Sequence, residues 1–253
     1  LEELDRAIRT RLLVATIIGS SCALAVAYPI VGRSPVLPVL PQSPWEAVHL
    51  PLFVVLGGII AVLGMYYNRL IIWNLDLIQR WRGWPPEAKA GLIGAIVGAL
   101  GVAAPWLVGG GEILADRVLN LDFALSTLML LLLVRWLLGP LSYSAGTPGG
   151  LFAPLLVVGA TIGAILATAV NAVLPHAGLS VTGFAIVGMS AFFTAVVRAP
   201  FTGIVLCVEM TATTALLVPM LLAAGTALVV CTLLGSTPIY DVLRAKLPAG
   251  QLH

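Results

Sequence analysis

The stretch YSAGTPGGLFAPLLVVGATIG, residues 143–163, places glycines and prolines inside the most apolar region of the chain. Both residue types disfavour helix interiors, by about 1 kcal/mol for glycine and about 3 kcal/mol for proline relative to alanine. Pro154 is tolerated in a first turn, where the backbone N–H groups have no intrahelical acceptor. The pattern therefore predicts that a helix starts near residues 149–151 and continues through PLLVVGATIGAILATAV.

A helix that starts at membrane depth can bind an anion through its backbone alone. Its N-terminus carries about half a positive charge, and its free N–H groups point outward. Gly149 and Gly150 would let an ion approach this helix-start loop closely. The same residues also agree with an ordinary Gly/Pro break between two helices, and on these grounds both interpretations stay open.

The composition predicts an integral membrane protein. Of the 253 residues, 60% are hydrophobic and 9% are charged, with a mean hydropathy of +1.06, whereas soluble domains carry about 25% charged residues. A net charge of +2 does not favour a nucleic-acid partner. Cys22, Cys207 and Cys231 lack the spacing of a disulfide framework or a metal site, so we expect no metal and no cofactor.

Apolar runs of about 20 residues predict several spanning helices. The predicted spans are 12–32, 47–68 with a continuation to about Arg80, 90–111 and 123–139. The turn RWRGWPPEAK, residues 80–89, carries an excess of positive charge, which places it in the cytoplasm. The basic cluster Arg6, Arg9 and Arg11 also indicates the cytoplasm, in agreement with two spans between these ends.

Residues 136–197 contain no Asp, Glu, Lys or Arg over 62 positions, which is too long for one span. Residues 139–140, the turn at 146–150 and Pro175 are predicted to break this segment into shorter helices. Broken helices of this kind form ion sites in transporters. The glycine pairs Gly94 and Gly98, and Gly159 and Gly163, are spaced for close helix packing.

The isolated charges of the apolar regions are predicted to be structural. Arg135 interrupts a span, and Arg198 and Glu209 flank a short uncharged helical stretch. Charges within a membrane tend to pair, so we expect Arg198 and Glu209 to pair with one another or with neighbours. A further set of charges is predicted to lie in a solvated loop: Glu112, Asp116, Arg117 and Asp122.

Four motifs, spread in order along the chain, together resemble the CLC family of chloride channels and chloride/proton exchangers. They are LEEL at 1–4, SAGTPGGLFAP at 144–154, GMSAFFTAVVRAPFTGIVLCVEMT at 188–211 and STPIYDVL at 236–243. The resemblance implies an all-α membrane protein with a CLC-type bundle of tilted, partly broken helices. It covers the family's second inverted repeat plus the end of the first, so residues 1–253 would form the carboxyl-terminal half of a CLC-type transport domain.

The resemblance also implies roles for individual residues. The backbone N–H groups of Leu151 and Phe152 would coordinate chloride, and Tyr240 would close the chloride site on the cytoplasmic side. Ser236 or Thr237 as N-cap, followed by a proline, independently predicts a helix start that puts Tyr240 in a first turn. Glu3 matches the family's internal proton-transfer glutamate, with Glu2 as the alternative if the match slips by one residue.

The family's GSGIP-like helix start and GREGP-like gating segment have no counterpart in the sequence. We therefore expect the chain to begin within a longer protein and to need the missing amino-terminal half of the same pore as a partner. The resemblance implies a homodimer in a bacterial-type inner or plasma membrane. Its interface would include parts of 12–30, 181–197 and 200–234.

Two functions within this family remain open. The first is chloride/proton antiport, and the alternative is a passive voltage- or ligand-gated chloride channel. Glu3 favours the antiporter, because the family's channels generally lack that glutamate. An intramembrane enzyme is disfavoured because no HExxH, no GxS with a partner His or Asp, and no paired aspartates occur. A purely structural subunit would not need a buried helix start of the anion-binding type.

Overall fold

A computed structural model describes residues 10–32, 34–40, 45–81, 83–120, 123–146 and 150–246. Within these ranges the regular secondary structure is helical, which confirms the predicted all-α class. The α-helices are α1 Thr10–Val31, α2 Leu50–Gln79, α3 Pro86–Ala103, α4 Glu112–Asn120, α5 Leu125–Tyr143, α6 Phe152–Val173, α7 Val181–Val197, α8 Pro200–Thr211, α9 Leu217–Leu233 and α10 Ile239–Ala245. Short 3-10 turns lie at Ala47–His49, Pro105–Leu107 and Pro175–Ala177.

Five of the described helices are long and apolar enough to cross a membrane: α1, α2, α3, α5 and α6. With its preceding turn, α2 covers 33 residues, well beyond the roughly 20 that a perpendicular span needs. The helices α7, α8 and α9 are apolar but have only 12 to 17 residues. This mixture of long and short apolar helices agrees with a bundle of partly broken helices.

Helices α6 and α7 form the centre of the fold. Every side chain from residue 183 to residue 197 of α7 is buried. A Cβ atom added to Gly159 or Gly163 of α6 would collide with a backbone carbonyl of α7, that of Gly188 or Phe184. The absence of side chains thus lets the two helix backbones touch, and the predicted packing role of Gly159 and Gly163 is confirmed.

The glycine pair of α3 differs from the pair of α6. No described atom comes within 4 Å of a Cβ placed on Gly94 or Gly98 of α3, so these glycines mediate no packing in the described chain.

The prediction that 181–197 contributes to a dimer interface is wrong, because α7 is enclosed by its neighbours. By contrast, α1 buries none of its apolar window in the described chain.

The predicted loop at 112–122 is largely a helix. Leu114, Ala115, Val118 and Leu119 of α4 are buried, which is the i, i+1, i+4, i+5 spacing of one helix face. Glu112, Asp116 and Arg117 are polar residues of this amphipathic helix, and Asp122 lies outside the described residues. The loop prediction is therefore wrong, because the residues between the charges form the apolar face of a helix.

The predicted break at residues 139–140 is also wrong. Helix α5 continues through Pro140 to Tyr143, so the loss of one backbone N–H donor at Pro140 does not end the helix. Gly139 has a packing role, since a Cβ there would collide with the hydroxyl of Tyr67 from α2. The Tyr67 ring lies edge-on to Trp136, with ring centroids 5.0 Å apart, and this contact joins α2 to α5.

The predicted span 90–111 ends earlier than expected. Helix α3 stops at Ala103, and the 3-10 turn Pro105–Leu107 follows. Pro105 cannot continue the α-helix, because it lacks a backbone N–H group. The glycines at 109–111 consequently lie in a loop between α3 and α4, where they can approach the start of α6.

Candidate anion-binding site

Helix α6 begins within the glycine–proline stretch, as predicted. Leu151 is the N-cap residue, with φ −88° and ψ −12° and no side-chain cap. The N–H of Leu155 donates to the Leu151 carbonyl at 3.1 Å, which closes the first turn. Pro154 lies in that turn and has no N–H, so Phe152 and Ala153 supply its donors without an intrahelical acceptor. Gly149 lies outside the described residues.

The two predicted chloride ligands differ in exposure. The Leu151 side chain is packed into the core, whereas Phe152 is 39% exposed and Gly150 is exposed. The Phe152 ring packs against Phe193 of α7, with 5.1 Å between ring centroids. The helix start is thus anchored on α7 but is left open on its other side by the described part of the chain.

A cavity of about 200 Å³ adjoins this helix start. Its wall includes Gly150 and Leu151 from the start of α6, and Arg135, Ser142 and Tyr143 from α5. Since one water occupies about 30 Å³ in the liquid, the cavity has room for a small anion and several waters. Hydrogen-bond donors and one full positive charge therefore border a space beside the α6 N-terminus.

Arg135 is the charged residue of this wall. It is only 4% exposed, and its Nη1 donates to the Gly109 carbonyl at 3.0 Å. Gly111, with φ +100°, allows the guanidinium to come close, since a Cβ there would lie 2.9 Å from Nη2. The arginine therefore ties the loop before α4 to α5, in agreement with its predicted structural role. Its place on the cavity wall was not predicted, because the spacing from Arg135 to the glycine stretch indicates no contact.

Helix α10 carries Tyr240. Pro238 is its N-cap, with φ −58° and ψ 145°, and no side chain caps the helix. The predicted Ser236 or Thr237 cap with the proline inside the helix is therefore wrong. Tyr240 nevertheless falls in the first turn, where it is half-buried and packs against the hydrophobic core.

The end of α7 holds both predicted helix starts. Phe193 contacts Phe152 at the start of α6. Five residues later, Nη2 of Arg198 donates to the Ser236 carbonyl, just before α10, at 2.9 Å. Five helical residues rise by about 7.5 Å. The structure thus brings the α6 start and the segment before Tyr240 to the same end of α7.

The remaining predicted residues are not part of this arrangement. Arg198 donates to the Ser236 carbonyl, which supports its predicted pairing with a neighbour rather than with Glu209. Glu209 is exposed on α8. The link from Arg198 to Ser236 spans 38 residues, and no local pattern in the sequence signals it. Glu2 and Glu3 lie outside the described residues.

Comparison with known proteins agrees with this architecture. The profile of the voltage gated chloride channel family matches residues 1–232. The chain is 34% identical over 223 residues to the H(+)/Cl(-) exchange transporter ClcA of Citrobacter koseri, covering 87% of this chain and 47% of that protein. ClcA of Salmonella arizonae matches with the same identity and coverage. The chain therefore spans about half the length of these relatives, which are transporters.

Solved structures show the same helical arrangement. A slow cyanobacterial Cl-/H+ antiporter superimposes with a TM-score of 0.82 and 32% identity, over 91% of this chain and 54% of that one. A eukaryotic CLC transporter shares the fold with a TM-score of 0.68 and 24% identity, over 79% of this chain and 35% of that one. With the family match, the apolar spans and the shared fold, the chain is a multi-pass integral membrane protein that belongs to the voltage gated chloride channel, or CLC, family.

Proposed function

We propose that the chain takes part in chloride/proton antiport across a membrane of the bacterial inner- or plasma-membrane type. It would act as part of a pore that also needs residues equivalent to the rest of its relatives' membrane domain. The observation that carries the proposal is the start of α6, where the first-turn N–H groups and the exposed Gly150 adjoin a cavity of about 200 Å³ among apolar helices. The transport of H+ and Cl− by relatives that share this fold supports the choice of ions.

The proposed chloride path uses partial charges. The N–H groups of Leu151 and Phe152 would bind a chloride that has shed its water, and Gly149 and Gly150 would allow it to approach. The Tyr240 hydroxyl would donate from the cytoplasmic side. Such donors bind an anion while still allowing it to leave, as conduction requires. Chloride is then the transported ligand, and no cofactor enters the cycle.

The proposed proton path starts at Glu3, which the resemblance assigns to proton transfer. A carboxyl group can accept and release a proton without entering the chloride path. The names of the matched relatives, which describe H+/Cl− exchange, favour antiport over the passive channel. We also propose a homodimer that uses exposed apolar faces of α1, α8 and α9, including Phe201 and Val205 of α8, which are 67% and 66% exposed.

Paired flux measurements test the antiport. A membrane domain of full family length that contains this chain is reconstituted into liposomes with an outward chloride gradient, and pH and chloride electrodes record both ions. Antiport predicts that chloride efflux drives protons inward against their own gradient. Chloride efflux without proton movement would support the channel instead, and the absence of both fluxes would contradict transport by this site.

A further inference from the structure

Arg198 has an unusual backbone conformation. It lies between α7 and α8 with φ 73° and ψ 26°, in the left-handed region. Helices commonly end on glycine at such a position, because other L-residues meet steric repulsion there. Among the described residues, Ala212 at the end of α8, with φ 52°, is the only other non-glycine residue with positive φ. A strained position that holds a long cationic side chain suggests that the side chain has a use.

The side chain of Arg198 reaches across the fold to the segment after α9. Its Nη2 donates to the Ser236 carbonyl at 2.9 Å. On the other side of the same residue, the Ser236 N–H donates to the Cys231 carbonyl at 3.1 Å. Ser236 is therefore fixed from two directions, by the end of α9 and by the guanidinium that closes α7.

The fixed residue lies very close to Tyr240 along the chain. Only Thr237 and Pro238 separate Ser236 from the first residue of α10, and the proline ring restricts φ at Pro238 to −58°. Such a short, stiff connection transmits the position of the Ser236 carbonyl to the direction of α10. Tyr240, in the first turn of α10, follows that direction.

We propose that Arg198 is the positioning residue for Tyr240, acting through its hydrogen bond to the Ser236 carbonyl. The proposal rests on the proposed function, in which Tyr240 closes the chloride site. A cation at the end of α7 also interacts favourably with the helix dipole. That interaction would stabilise α7 without affecting Tyr240, so the environment of Tyr240 distinguishes the two roles.

The test uses a membrane domain of full family length that contains this chain, labelled with 3-fluorotyrosine in lipid nanodiscs. The chain has five tyrosines, and Tyr240→Phe assigns the Tyr240 fluorine resonance. Arg198→Gly removes the guanidinium and relieves the backbone strain at φ 73°. Arg198→Asn also removes the guanidinium, and asparagine tolerates a left-handed φ. Ala212→Gly is the matched control, because it relieves the same type of strain at an exposed position.

We expect the Tyr240 resonance to shift and broaden in both Arg198 variants, while the resonances of the other tyrosines stay in place. Ala212→Gly should leave the Tyr240 resonance and the others unchanged. In a chloride titration followed at Tyr240, the dissociation constant for chloride should rise about tenfold in the Arg198 variants. This is the change expected when the displaced Tyr240 hydroxyl no longer donates its hydrogen bond to the chloride ion.

Three results would overturn the positioning role. They are an unchanged Tyr240 resonance in a folded Arg198 variant, an equal change in Ala212→Gly, and loss of helical circular dichroism in both Arg198 variants. A failure of the proposed function has another signature. The wild-type Tyr240 resonance would then not respond to chloride, while the comparison without chloride would still report whether Arg198 positions Tyr240.

Discussion

At Tyr240 the ring and the hydroxyl have separable contributions to anion binding. The half-buried ring packs against the core at the start of α10, so it can block the inner side of the site, while the hydroxyl supplies one donor. We expect Tyr240→Ala to weaken chloride binding and to loosen coupling, and Tyr240→Phe to do less. The lost hydrogen bond to a charged partner amounts to about 1.5–3 kcal/mol. Calorimetric chloride titration of a membrane domain of full family length measures the effect, and unchanged binding in Tyr240→Ala would reduce Tyr240 to a packing residue.

Glu3 offers a second test at the scale of one residue. Glu3→Gln keeps size and hydrogen bonding but removes the titrating group. If Glu3 transfers the proton, the variant in a membrane domain of full family length should lose proton movement and keep chloride flux, because the proposed chloride path uses Leu151, Phe152 and Tyr240. Parallel pH-electrode and chloride-electrode traces on one liposome preparation separate the two fluxes. Normal proton movement would remove Glu3 from the mechanism, and Glu2→Gln is the control for a one-residue slip.

At the scale of elements, the α6–α7 crossing depends on the absence of side chains. Gly163→Ala places a Cβ against the Phe184 carbonyl, so the helices must separate. We expect a loss of about 1–3 kcal/mol in the free energy of unfolding, the usual cost of overpacking. Gly94→Ala is the matched control, with no described atom within 4 Å of its Cβ, and it should gain up to about 1 kcal/mol from helix propensity. Unfolding by SDS titration in detergent micelles measures both, and equal effects would contradict the packing role.

Several elements could be predicted from the sequence because their signals are local. The uncharged run at 12–32 predicts α1, and the glycine–proline stretch at 143–163 predicts the start of α6. A proline in a first turn is specified by its own missing N–H, whatever surrounds it. The break predicted at Pro140 is wrong because the missing N–H removes one backbone hydrogen bond without ending the helix.

The arrangement around the candidate site could not be predicted, because tertiary contacts define it. Arg135 reaches the Gly109 carbonyl 26 residues away, and Arg198 reaches Ser236 38 residues away. Neither separation along the sequence corresponds to a helical or strand repeat. The charges of α4 suggested a loop, since the sequence does not show which helices cover the buried Leu114 and Val118. Roles for Leu151, Phe152 and Tyr240 came from the family resemblance and remain predictions.

At the scale of the whole molecule, the described chain leaves the α6 start incompletely enclosed. Gly150 is exposed and Phe152 is 39% exposed, so water can reach the proposed site. We therefore expect residues 1–253 alone, reconstituted into liposomes, to show no chloride flux above protein-free liposomes. Full-length ClcA of Citrobacter koseri in the same lipids is the positive control for the chloride electrode. Robust flux from the 253-residue chain would show that it forms a conducting path without further segments.

The contact between α6 and α7 also bears on how the protein is made. These helices adjoin in the chain, with only residues 174–180 between them, and residues 183–197 of α7 are buried by the described chain. Pairing between sequence neighbours closes a short loop and proceeds quickly. The hairpin can therefore assemble in the membrane while α8, α9 and α10 are still being translated. Tyr240 would then be synthesised after the α6–α7 hairpin has already formed.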